Sequence, residues 1–286
     1  MRIYLMTDLE GVAGVQNFQS WTSPGCPYYD LARQLLTQEV NAAVDGFFAG
    51  GATSILVADG HGPGAVDVLD LDPRVEYMRG WPESWPLGLE EGGYDCLAFV
   101  GQHAKSRTAC SNMAHTQGCR YLELSINGKA IGEFGQMTLC ASQLGVRAIF
   151  ASGERALTLE AEDLVPGIET VSVKRGTKPG RGDECSELEY RARNGSAIHQ
   201  HPTKARSLIR AGALRAVLRA REEDFGIVPL EPPFRRVYVQ RQTEETPQRL
   251  YAIDEHPDDI CALMATRQTD LQPVEGDEHL AELLVD

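Results

Sequence analysis

The chain has 286 residues, 42% hydrophobic and 24% charged, a composition that buries a sizeable core without staples in one large domain, or in a main domain with a smaller partner. Its formal charge of −14, from 41 acidic against 27 Lys and Arg residues, argues against nucleic acid or an anionic membrane as the main partner. Seven Cys without a C-x-x-C pair argue against a disulfide framework and a structural zinc knuckle. No run approaches ~20 apolar residues and no signal-peptide pattern opens the chain, so the expected location is the cytoplasm.

Arg2 to Thr7 reads as a short buried strand that runs into Asp8 and Glu10. Two residues apart on extended chain, these carboxylates share a side. The stretch from Gly11 to Pro27 is long for a plain connector, and such loops are often functional. Asp30 to Phe48 is a predicted helix, with Leu35, Leu36, Val40, Ala43, Val44 and Phe47 at three- and four-residue steps. Gly50-Gly51 stops it. Ser54 to Ala58 is a second buried strand, so the order strand, helix, strand predicts a right-handed βαβ unit with parallel strands.

That second strand ends in Asp59-Gly-His61-Gly-Pro-Gly64. Residues 65 to 95 are irregular, broken by Pro73, Pro82 and Pro86, with Trp81 and Trp85 nearby and one short strand at Val75 to Met78. Cys96 to Val100 is the next apolar run, and it ends in Gly101-Gln-His103. His115 follows in a polar loop. Tyr121 to Ile126, Asn127-Gly128 and Lys129 to Ile131 form a hairpin signal that delivers Gly132-Glu133. Helices are predicted from about Gly135 to Leu144, Ala156 to Leu164, Glu184 to Arg193 and Pro202 to Glu223. Strands are predicted at Val146 to Ala151, Glu169 to Lys174 and Phe234 to Gln240. Residues 254 to 286 read as acidic helix and turn. The basic, Gly-rich stretch Gly176 to Gly182 is read first as a mobile loop, and second as an anion contact for a substrate carboxylate.

One histidine at a strand end says little, but the joint pattern says more. Asp8 and Glu10, His61, His103 and Glu133 each follow a separate apolar strand or hairpin, and parallel sheets bind ligands beyond the carboxyl ends of their strands. Three carboxylates and two imidazoles suit one or two divalent ions with nitrogen and oxygen ligands, zinc first and manganese second. Two metals about 3.5–4 Å apart, bridged by a carboxylate, are a recurring hydrolytic device. His115 is the remaining candidate for a proton shuttle.

At this point the sequence resembles a family. Leu5-Met-Thr-Asp-Leu-Glu-Gly-Val-Ala-Gly-Val15, Leu36-Thr-Gln-Glu-Val-Asn-Ala-Ala43, Asp59-Gly-His-Gly62, Gly101-Gln-His-Ala104, Ala114-His-Thr116 and Asn127-Gly-Lys-Ala-Ile-Gly-Glu133 look like the D-aminopeptidases of the bacterial dipeptide-transport operon type, which are zinc metallopeptidases. The resemblance covers about residues 2 to 175. It implies two zinc ions held by Asp8, Glu10, His61, His103 and Glu133, with Asp8 as the bridge and His115 acting in catalysis. It also implies short peptides with an N-terminal D-residue as substrates, and a homo-oligomer, a decamer of two stacked pentamer rings that encloses the active sites.

The sequence departs from that pattern in three places. Gly153-Glu154 stands where a Gly-Asp pair is usual. The loop from His103 to His115 carries Lys105, Arg107 and Cys110. Residues 176 to 185 and those after about 241 diverge. These departures bear on the substrate more than on the metal ligands. Two rival readings run beside the first: a haloacid-dehalogenase-like magnesium phosphatase with Asp8 as nucleophile and Asp258-Asp259 as a distal acidic pair, and a non-catalytic homologue acting in binding or assembly. The expected fold class is α/β: a mostly parallel sheet flanked by helices, with the metal site at its strand C-terminal ends, plus a smaller C-terminal α/β region. The expected division is a metal-binding catalytic domain at 1–175, and a helical and mixed region at 176–286 that completes the cleft.

Overall fold

The computed structural model describes residues 1–82 and 85–285. In chain order the strands and helices are β1 (Arg2–Thr7), α1 (Phe18–Trp21), α2 (Tyr29–Ala49), β2 (Ser54–Asp59), β3 (Glu76–Met78), β4 (Cys96–Gln102), β5 (Tyr121–Ile126), β6 (Lys129–Ala130), α3 (Glu133–Gln143), β7 (Arg147–Glu154), α4 (Arg155–Leu164), β8 (Glu169–Gly176), α5 (Glu187–Arg193), β9 (Ala197–His199), α6 (Pro202–Glu222), β10 (Phe234–Gln240), β11 (Leu250–His256), α7 (Ile260–Ala265), β12 (Gln272–Pro273) and α8 (Gly276–Leu283).

Seven strands form one sheet in the order β3-β2-β1-β4-β7-β8-β9. Every pair in it is parallel except β8 with β9. Alternation along β1 explains its two covered faces. Ile3 and Leu5 join the core under α2 and α6, with Val40, Phe47, Ile209 and Val217. Tyr4 and Met6 join the opposite core, with Phe99, Phe134, Met137 and Leu157 from β4, α3 and α4.

A second, antiparallel sheet has the order β12-β11-β10-β5-β6. One face packs on α7 and the far side of α3, and the other on α8. Sheet membership does not follow chain order. The hairpin at 121–130 belongs to the second sheet, while β9 and α6, after residue 176, complete the first.

Most expected elements stand within one to three residues of their predicted ends. The region 254–286 is a correction. It holds the end of strand β11 and strand β12 as well as helices, because Leu250 to His256 pairs across β10 over its whole length. The short β9 and α1 carried no periodic signal long enough to read.

The C-terminal ends of β1, β4 and β7 are locked together by close backbone approach. A Cβ on Gly101, whose φ is +79°, would lie 2.0 Å from the Asp8 carbonyl oxygen, and one on Gly153 would lie 1.8 Å from that of Gln102. The register of β4 against β7 slips between Val100 and Gln102. A bulge of this kind re-aims the residues that follow it, here Gln102 and His103.

Candidate metal centre

Five of the six predicted site residues come from the ends of neighbouring parallel strands and the loops that follow them. Asp8 and Glu10 leave β1, His61 leaves β2, and His103 leaves β4 to be followed in the same loop by His115. Glu133 arrives differently. It is the first residue of α3, reached from the antiparallel hairpin of the second sheet. The helix therefore begins two residues before its expected start, and its N-terminal dipole favours a carboxylate there.

Asp8 sits at the centre. Its Oδ1 lies 3.2 Å from His61 Nδ1, and its Oδ2 lies 3.1 Å from His103 Nε2. The Leu9 amide donates to Oδ1 at 2.8 Å and the Gln102 side-chain amide donates to Oδ2 at 3.1 Å. Glu10 Oε2 faces His61 Nδ1 at 3.1 Å. Glu133 Oε1 is 3.5 Å from His103 Nε2 and 3.7 Å from His115 Nε2, and it accepts the Gln117 amide at 2.7 Å. The rings of His103 and His115 stack 3.9 Å apart.

Each imidazole has one nitrogen on a backbone carbonyl and the other turned inward. His61 Nε2 is 2.8 Å from the Thr22 carbonyl, His103 Nδ1 2.9 Å from that of Ala104, and His115 Nδ1 2.9 Å from that of Met113. A carbonyl accepts only, so that ring nitrogen carries the hydrogen, and the inward nitrogen is the one placed to take up a proton or an ion. This is the arrangement of metal-binding histidines. Thr22 lies in the long loop after β1, so that loop does supply a working contact.

Electrostatics point the same way. Asp8, Glu10, His61 and His103 are all buried. Burial alone would lower the His61 imidazole, but Glu10 and Asp8 outweigh it and push the group up to about 12. Burial would likewise lower His103, and Glu133 with Asp8 raises it well above the usual range. Burial would raise Asp8 and Glu133, and the imidazoles hold both below the ordinary carboxylate range. The cluster therefore attracts positive charge, whether protons or a metal. Two buried atoms facing its centre, Glu10 Oε2 and His103 Nε2, have no partner in hydrogen-bonding geometry. Donor atoms of Asp8, Glu10 and His103, and again of His103, His115 and Glu133, lie close enough to one another to hold an ion. The donor set fits zinc.

A cavity of about 340 Å³ opens from Asp8 and Glu133. Among the described residues its lining lies between Met6 and Met137. The stretch Gly176 to Gly182 packs elsewhere: the Lys178 carbonyl accepts the Cys110 amide, and the Pro179 and Gly180 carbonyls accept from Arg193. Asp259, offered above as part of a phosphatase acidic pair, instead caps α7 and accepts from Gln143. Sequence reasoning missed Gln102, which orients Asp8, and two buried charged groups behind the loop, Glu39 and Lys174; Glu154, noted in the sequence as a departure, is buried as well. Glu39 accepts the Ala13 amide at 3.0 Å, and Lys174 donates to the Val15 carbonyl at 2.9 Å. Glu154, at the Gly-Glu departure, accepts the Asn112 amide at 3.1 Å. For Glu39 and Lys174 the hint was an isolated charged residue in an apolar segment.

Comparison with known proteins adds three findings. The sequence profile of a family described as D-aminopeptidase matches residues 1–254. A D-aminopeptidase of Bacillus subtilis (strain 168) is 28% identical over 179 residues, 61% of this chain and 64% of that protein, so the match spans a little under two thirds of the relative. The fold matches that of the zinc-dependent D-aminopeptidase DppA from Bacillus subtilis, described as a self-compartmentalizing protease. The TM-score is 0.73 at 21% identity, over 93% of this chain and 95% of that one.

Proposed function

This chain belongs to the D-aminopeptidase family, and from that footing we propose that it is a zinc-dependent aminopeptidase of short peptides, with preference for an N-terminal D-residue. The observation that carries the reading is the double-sided environment of Asp8. One carboxylate oxygen faces His61 and the other faces His103, which supports Asp8 as a bridge between two ions. Glu10 and His61 would complete one binding position, and His103 and Glu133 the other. Zinc, when bound, supplies Lewis acidity towards a peptide carbonyl and a water of lowered pKa.

The remaining work falls to the chain's own residues. Glu133, Asp8 and Glu10 would balance most of the charge of the bound ions. Burial lowers the His115 imidazole from its ordinary value. Its Nδ1–H is committed to Met113, so Nε2 is the atom that accepts a proton and returns it to the leaving amine. The Thr22, Ala104 and Met113 carbonyls hold the three rings in place throughout.

We further propose a homo-oligomer, two stacked pentamer rings with the sites enclosed. The self-compartmentalizing relative of like fold supports assembly of that kind. Mass photometry should then find a species about ten times the 31.4 kDa chain mass. The function itself is tested by loading the protein with zinc and assaying paired L- and D-aminoacyl dipeptides. Release of the free N-terminal residue, abolished by a chelator and restored by zinc, is the expected result. Metal-independent release, or none from any peptide, would contradict it.

A further inference from the structure

The cavity beside the metal centre is lined by two unlike sets of residues. One set is polar: Asp8 and Glu133, with Gln102 and Gln117 hydrogen-bonded to them. The Gln102 amide is committed to Asp8, and the Gln117 backbone amide to Glu133. The other set is apolar. Met6, Phe99 and Met137 form part of it, and Trp81, Trp85 and Leu87 form the rest. No Lys or Arg lines the cavity among the described residues.

That wall is built and braced. Phe99 and Met137 are about 1% exposed and belong to the core between the parallel sheet and α3. Phe99 packs on Phe134 with ring centroids 4.8 Å apart. Trp81, Trp85 and Leu87 pack against the same core. Leu87 has a φ of +61°, a left-handed conformation that a branched side chain rarely takes and that surroundings must hold. The hydroxyl of the buried Tyr4 donates to the Leu87 carbonyl at 2.5 Å and supplies that hold.

We propose that this cavity seats the side chain of the substrate's first residue, and that it selects a large aromatic one. The inference rests on the aminopeptidase reading above. An N-terminal residue bonded to a carbonyl at Asp8 and Glu133 must send its side chain into adjoining space, and this cavity opens from those two carboxylates. A methyl group would leave most of about 340 Å³ without van der Waals partners. An aromatic ring would meet two indoles and Phe99, whose faces and edges favour offset and edge-on contact, while two methionines adapt to its outline. Each added methylene in such a pocket is worth roughly 10- to 200-fold in discrimination.

The test uses the full-length zinc-loaded protein and four dipeptides, phenylalanyl-alanine and alanyl-alanine with the first residue in either D or L form. In whichever stereochemical series is turned over, kcat/KM for the phenylalanyl peptide should exceed that for the alanyl peptide by roughly tenfold or more. The ratio should fall at least fivefold in Trp81→Leu and in Trp85→Leu. A binding readout stands beside this: phenylalaninamide should quench tryptophan fluorescence at roughly tenfold lower concentration than alaninamide. Turnover with no aromatic preference, or a ratio unmoved by both substitutions, overturns this inference alone. No turnover of any peptide by zinc-loaded protein overturns the aminopeptidase reading and this inference with it.

Discussion

Glu39 is a carboxylic acid in α2 buried behind the loop that leaves Glu10, and replacing it with Gln isolates the effect of its charge. It is 2% exposed, its Oε1 accepts the Ala13 amide, and its Oε2 has no partner. Burial pushes the group from 4.5 up to about 8, against the opposing pull of the Ala13 amide and Lys174. A folded-state value above the unfolded one means that the protonated, folded form is favoured. The stability it contributes is full below about pH 4.5 and is lost as pH rises through about 8. Between pH 5 and pH 9 the loss from this one group has an upper bound of about 4 kcal/mol. Glu39→Gln keeps an oxygen for the Ala13 amide and cannot ionise. Urea unfolding at pH 5, 7 and 9 should therefore show the variant close to wild type at pH 5 and more stable by ~2–4 kcal/mol at pH 9. Parallel pH profiles for the two proteins would refute the assignment of Glu39 as a protonated buried acid.

Three further outcomes concern the metal centre. Asp8→Ala and His103→Ala each remove a group that faces two others, and both variants should lose bound zinc by elemental analysis together with hydrolysis. His115→Ala should retain zinc while turnover falls by about 10²–10⁴; loss of the metal instead would make His115 a ligand. Zinc must displace protons held on His61 and His103, both raised by the surrounding carboxylates. Affinity should consequently rise with pH, by roughly tenfold per unit for each proton displaced. Competition with a chromophoric chelator at pH 6 and pH 8 checks this, and a flat profile would contradict it.

Much of this was legible in the sequence because strand ends are legible. Apolar runs at Arg2–Thr7, Ser54–Asp59 and Cys96–Gln102 terminate in polar residues on glycine turns, and parallel pairing then brings Asp8, Glu10, His61 and His103 together. Glu133 was placed among them by resemblance and position, but its route through an antiparallel hairpin of another sheet was not. Pairing partners far apart in sequence leave no local periodicity, which is why β5 and β6 gave no sign of joining β10. Gln102 and Lys174 escaped notice for a related reason. A polar residue at a strand end is ambiguous until its neighbours are known, and both neighbours here come from about 94 and 159 residues away. The cavity wall was invisible because Trp81, Trp85 and Leu87 lie in an irregular segment whose facing core comes from β1, β4 and α3.

The most direct test of the account is zinc stoichiometry measured alongside activity on the same sample. Protein purified, stripped with a chelator and reloaded should hold close to two zinc ions per chain, and aminopeptidase activity should return in proportion to the metal bound. Binding of no zinc, or activity indifferent to its removal, would contradict the reading of Asp8, Glu10, His61, His103 and Glu133 as a metal centre.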